Sequence, residues 1–172
     1  MSVVQEFGNT YEVNGEIGHG AGGIVYKAYH KRLRQEVVLK KIRRSGVSEK
    51  IGRKEADILK KLHNSYLPQV LDFLTAGDGS IYTVMSFVPG KTLKELMEQG
   101  VVFSRSQLVH CGMQLCSALH YLHSQNPPVI HGDIKPSNIM LTPEGNICLI
   151  DFNIAFYLDA ETILGCTEGY TS

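Results

Sequence analysis

"HGDIKPSNIM", residues 131–140, sets a histidine, an aspartate, a lysine and an asparagine around Pro136. Asp133 can orient a hydroxyl and accept its proton, and Lys135 can neutralise phosphate charge. Asn138 can ligate a divalent cation, and Asp151 in the downstream Asp-Phe-Asn would complete the metal site. The stretch therefore poses a question about phosphoryl chemistry, and the residues on either side of it bear on the answer.

Far upstream, residues 18–25 fit the pattern G-x-G-x-x-G-x-V. Missing side chains there let backbone amides approach phosphate oxygens. A dinucleotide fingerprint uses similar glycines but needs a helix to open at the third one, whereas a strand follows Gly23. Val37-Val38-Leu39-Lys40 ends an apolar strand on a lysine, which alone reads as a solvated strand end. Behind a glycine loop, Lys40 can reach phosphate oxygens if a carboxylate holds it. Glu55 supplies one from the next helix, with Glu49 the weaker candidate.

Between these motifs the sequence alternates in a readable way. Residues 11–18, 24–31 and 35–42 read as three antiparallel strands, and 69–74 and 81–87 as two more joined by the turn AGDGS. Apolar residues recur at helical spacing over 49–63. Pro89-Gly90 reads as a hinge between two lobes, 1–88 and 89–172. Thr92 can cap a short helix ended by Gly100, and Ser104 or Ser106 a longer one running to about His123. The apolar face of that longer helix is expected to include Leu108, Val109, Leu115, Ala118, Leu119 and Leu122. Residues 139–141 and 147–150 read as short strands around Pro143-Glu144-Gly145.

Composition bounds the partners. The chain has 172 residues, 43% hydrophobic and 20% charged, enough apolar material for a core. Seventeen basic residues balance 17 acidic ones, so no global field favours nucleic acid or an anionic membrane. No apolar run approaches the roughly 20 residues of a bilayer span. The first ten residues lack the pattern of a signal peptide, so the expected location is the cytoplasm. Cys111, Cys116, Cys148 and Cys166 form no C-x-x-C pair and read as reduced packing residues.

Taken in order and spacing, the glycine loop, VVLK, Glu55, HGDIKPSN and DFN resemble a eukaryotic-type serine/threonine protein kinase of the kind also found in bacteria. The resemblance implies an α+β fold with a five-stranded antiparallel N-lobe sheet and one helix, followed by a partial, mainly helical C-lobe. It implies ATP between the lobes, covered by Ile17, Gly18, His19, Gly20, Ala21, Gly22 and Gly23. Adenine would lie under Val25 and Val38 and above Met140, with Met85 as gatekeeper and the backbone of Phe87 and Val88 on its edge. Lys40 would hold the α- and β-phosphates and pair with Glu55. Asn138 and Asp151 would bind Mg2+, Asp133 would position a Ser/Thr hydroxyl of a protein substrate, and Lys135 marks the serine/threonine class.

Residues 165–172 resemble the end of an activation segment, with Thr167 bonding Asp133 and Lys135. The family continues with Pro-Glu and further helices, so the resemblance covers part of a kinase domain, expected to have little activity alone. Three positions depart from the family pattern. Gly132 replaces an arginine that pairs with activation-loop phosphate, which predicts no dependence on loop phosphorylation by that route. Asn153 replaces a glycine at a turn that Asn tolerates, and Ser86 replaces a hinge glutamate. Two other functions use related residues: a small-molecule kinase of the aminoglycoside or choline type, which also carries H-G-D, and a nucleotide-binding pseudokinase. Lys135-Pro136 and the glycine loop argue against the first, and the retained Lys40, Glu55, Asp133, Asn138 and Asp151 against the second.

Overall fold

A computed structural model describes residues 7–20, 23–42, 59–126, 128–151 and 156–157. The chain separates into two compact units, Met1–Leu62 with Gln69–Phe87, and His63–Pro68 with Val88–Ser172. The division is thus not a single cut after residue 88. Residues 63–68 go with the second unit because the His63 N–H donates to the Tyr121 hydroxyl (2.8 Å) and the Leu149 N–H to the Tyr66 carbonyl (2.8 Å).

The first unit is built on a five-stranded antiparallel sheet, β1 (Tyr11–Gly20), β2 (Gly23–His30), β3 (Gln35–Ile42), β4 (Val70–Thr75) and β5 (Ile81–Ser86), in the order β1-β2-β3-β5-β4. Alternation assigns its two faces. Ala28 lies opposite Val37, and Tyr26, Leu39 and Val84 form one row. These pack with Tyr11, Ala76 and Tyr82 into a core that Phe7, Val13, Leu71 and Leu74 border. The other face carries the rows Val25–Lys40–Thr83 and Lys27–Val38–Met85. The helix expected over 49–63 lies outside the described residues except for its end, where the Leu62 N–H bonds the Leu59 carbonyl (3.2 Å).

In the second unit, β6 (Lys91–Thr92) leads into α1 (Leu93–Glu98), then α2 (Arg105–His123), β7 (Val129–Ile130), a 3-10 turn (Pro136–Asn138), β8 (Ile139–Leu141), β9 (Ile147–Leu149) and β10 (Phe156–Tyr157). Strands β6, β8 and β9 form one small sheet and β10 pairs with β7. Both helices open on a capping box, Thr92 with Glu95 and Ser104 with Gln107. Ser104, not Ser106, is the cap of α2, because only Ser104 has a Gln three residues on to return the bond.

The buried stripe of α2 differs from the expected one. Gln114, Ala118 and Leu122 are buried at i, i+4 and i+8, while Leu108 and Val109 are more than half exposed, as is Met113. At 100° per residue Val109 falls opposite Ala118, so hydrophobicity alone misassigned it. The inward position that the pattern lacked is occupied by a polar residue, Gln114. Among the described residues no helix is long and apolar enough to cross a membrane.

Candidate functional site

In the first unit the expected nucleotide residues gather on one face of the sheet. Val25 is opposite Lys40, Val38 is opposite Met85, and strand period two puts all four on the side away from the core. Lys40 is only 7% exposed, an uncommon setting for a lysine and one requiring a partner for its charge. Phe87 closes β5 with its N–H 3.4 Å from the Glu36 carbonyl, and the Lys27 ammonium lies 4.1 Å from the centre of its ring. Val88 begins the second unit. Ser86 has its own structural duty: its hydroxyl accepts from the Gln69 N–H (2.9 Å), and its N–H donates to the Gln69 carbonyl (2.9 Å).

The glycine loop is the β1–β2 hairpin, closed by Gly20 opposite Gly23, with Ala21 and Gly22 outside the described residues. Its glycines have different reasons. Gly23 has φ +113°, and a Cβ there would fall 2.0 Å from the Lys41 carbonyl oxygen, so the fold itself excludes a side chain. Gly18 lies opposite Val25 and would meet only that side chain, at an ordinary 3.6 Å. Packing within the described residues therefore does not require a glycine at Gly18. Ile17 is 53% exposed, and His19 Nδ1 lies 3.3 Å from Glu16 Oε1 on the exposed strand. Glu55 lies outside the described residues.

In the second unit the stretch 131–138 folds back on itself. Lys135 Nζ is 2.7 Å from Asp133 Oδ2. Asn138 Nδ2 donates to the Asp133 carbonyl (2.8 Å) and to Oδ2 of the same residue (3.0 Å). An amide nitrogen facing two oxygens fixes which way the carboxamide points. Oδ1 of Asn138 is thereby turned away from Asp133, toward the Ser137 hydroxyl at 3.4 Å. Pro136 starts the 3-10 turn that brings the Asn138 N–H to the Lys135 carbonyl (2.9 Å), which is how residues separated along the chain converge.

His131 is 1% exposed and is a strut of this loop. Its Nδ1 accepts from the Asp133 N–H (3.4 Å), so the ring proton sits on Nε2 and is donated to the Ile150 carbonyl (3.0 Å). Phe152, of the downstream Asp-Phe-Asn, lies outside the described residues. Gly132, between strut and aspartate, has φ +75°, a left-handed value that glycine takes without strain.

The Ile150 N–H bonds the Asn138 carbonyl (2.8 Å), and Asp151 follows directly. Asp151 itself has φ +73°, a left-handed value uncommon for a residue with a side chain, although Asp is among those that adopt it. Sequence reasoning had looked for this geometry at Asn153, which, like Thr167, lies outside the described residues. A carboxylate and a carboxamide oxygen are hard donors that suit Mg2+ when phosphate oxygens and water complete its shell. Met140 sits in β8 opposite Cys148, whose thiol burial pushes up to about 12.

A family model for the protein kinase domain matches residues 11–172. The chain belongs to the protein kinase domain family. It is 37% identical over 163 residues to the serine/threonine-protein kinase Nek6 of Oryza sativa subsp. japonica, covering 90% of this chain and 30% of that protein. A probable serine/threonine-protein kinase of Clostridium perfringens is 35% identical over 160 residues, covering 91% of this chain and 23% of its own length. Serine/threonine-protein kinase pkn3 of Myxococcus xanthus is 33% identical over 158 residues, covering 87% and 28%. The kinase-domain chain thus spans under a third of the length of each of these relatives.

Proposed function

We propose that the chain serves an ATP-dependent serine/threonine protein kinase, transferring the γ-phosphoryl of MgATP to a Ser or Thr hydroxyl of a protein in the cytoplasm. The observation that carries the reading is the convergence of Lys135 and Asn138 on one oxygen of Asp133. A carboxylate oriented by two donors is suited to align an acceptor hydroxyl and take its proton as the new P–O bond forms. The bond from the γ-phosphorus to the β-phosphate oxygen breaks, and ADP leaves. Lys135 neutralises charge on the phosphoryl group in flight. Lys40 takes the α- and β-phosphates, Gly18 and Gly20 admit backbone amides to them, and Val25, Val38 and Met85 of the first unit receive adenine. Asn138 Oδ1 and Asp151 would hold Mg2+, which when bound neutralises phosphate charge.

Two measurements test this. Phosphotransfer from radiolabelled ATP to a Ser/Thr peptide is expected from a full-length kinase carrying this chain and not from its Asp133→Asn variant, with little from residues 1–172 alone; equal transfer by parent and variant would overturn the role of Asp133. MgATP is expected to raise the melting temperature of the protein, and not of Lys40→Ala, since a ligand at ~100 times Kd adds about 2.7 kcal/mol of stability.

A further inference from the structure

Gln114, in the middle of α2, is remote from Asp133 in sequence but is tied to the hairpin that carries the cation ligands. In β8 and β9, Ile139 lies opposite Leu149 and Leu141 opposite Ile147. Asn138, just before β8, and Asp151, just after the residue that follows β9, therefore sit at one end of the hairpin, where the Ile150 N–H bonds the Asn138 carbonyl. Gln114 grips the other end. Its Oε1 accepts from the Ile147 N–H (2.8 Å), and its Nε2 donates to Asn146 Oδ1 (2.7 Å). The same nitrogen lies 2.8 Å from His110 Nε2, which must accept, so the His110 proton is on Nδ1.

Gln114 is only 6% exposed, and every polar atom of its side chain is engaged. An apolar residue would fill this space without the desolvation that a carboxamide costs. What the amide adds is direction, because hydrogen bonds fix the angle of the hairpin turn against α2 where methyl groups fix only its distance. Strands of three residues have little room to bend between their ends, so the turn's orientation carries to the far end.

We propose that Gln114 is a positioning residue for the cation-binding pair, setting the separation and aim of Asn138 Oδ1 and Asp151. The proposal rests on the reading that these two residues hold a divalent cation. The experiment is an electron paramagnetic resonance titration of the protein with Mn2+, beside a non-hydrolysable ATP analogue. Gln114→Met keeps the volume and removes all three bonds.

Gln114→Met is expected to weaken Mn2+ binding about tenfold, as outer-shell changes at metal sites do, and to leave affinity for the metal-free analogue unchanged. A folded Gln114→Met that binds Mn2+ as the parent does, or that weakens metal and metal-free analogue equally, overturns the proposal. If Gln114→Met lacks a cooperative thermal transition, the exposed partner decides: Asn146→Ala is expected to weaken Mn2+ binding about threefold, and no change overturns the proposal. Asn138→Ala separates the two levels. If the parent shows no Mn2+ binding that Asn138→Ala removes, the cation reading itself fails and this inference with it.

Discussion

The β1–β2 hairpin of the first unit and the loop 131–138 of the second are held in opposite ways. The hairpin is a backbone ladder in which Gly23 packs against the Lys41 carbonyl near the tip. The loop is a mesh of side chains, with His131, Asp133, Lys135 and Asn138 bonded to one another or to the backbone beside them. Groups that bind a charged, adaptable triphosphate can tolerate a compliant frame, whereas groups that align a proton transfer lose rate with displacements of about 1 Å. The contrast predicts that substitutions in the loop act on rate and stability together, and that those in the hairpin separate binding from stability.

The largest effect belongs to Asp133. In a full-length kinase carrying this chain, Asp133→Asn keeps the shape but removes both the proton acceptor and the carboxylate that Lys135 and Asn138 share, and is expected to lower kcat at least ~10³-fold and the melting temperature with it. Next is His131→Ala, which opens a cavity at a fully buried position and leaves the Asp133 N–H and the Ile150 carbonyl without this partner. A loss of about 3 kcal/mol is expected in chemical denaturation. A loss under about 1 kcal/mol would show that the mesh is less tight than its hydrogen bonds indicate.

The hairpin's own test is a pair of glycines. Gly23→Ala is expected to cost about 2 kcal/mol, because a Cβ cannot occupy the space of the Lys41 carbonyl. Gly18→Ala is expected to leave stability within about 0.5 kcal/mol and to raise the KM for ATP. Equal destabilisation by both would remove the distinction between a glycine required by the fold and one reserved for the ligand.

Much of this was legible in the sequence, for identifiable reasons. The five strands announce themselves through β-branched alternation and turn residues, and the loop residues through spacing that only a tight turn at Pro136 makes useful. The inward face of α2 was misread because its central position is Gln114, and no hydrophobic pattern marks a buried amide. His131 was not legible as a strut, since its partners are backbone atoms of Asp133 and Ile150 that only the folded chain brings near. Asp151 could be read from the sequence only as a candidate ligand, and its left-handed backbone was not legible at all, because Asp carries no local signal for that geometry comparable to glycine's. Ser86 looked like the loss of a glutamate, whereas it gains a cross-strand bond to Gln69.

The smallest effect tests how dry the hairpin of the second unit is. Burial raises the Cys148 thiol from 9.0 to about 12. The folded chain keeps this proton where the unfolded chain releases it, so stability is complete below about 9 and declines as pH rises toward 12. Between pH 9 and 10 the decline from this group is expected to be about 1 kcal/mol. Tyr11 and Tyr82 are raised from 10.0 by burial, and Cys111 is raised by burial as well, so other groups titrate at alkaline pH. Cys148→Ala isolates the contribution: the difference between parent and variant should shrink by that amount across the interval. A difference that stays constant would mean water reaches the β8–β9 hairpin. The rigidity that distinguishes this region from the glycine hairpin would then rest on its hydrogen bonds alone, with no help from exclusion of solvent.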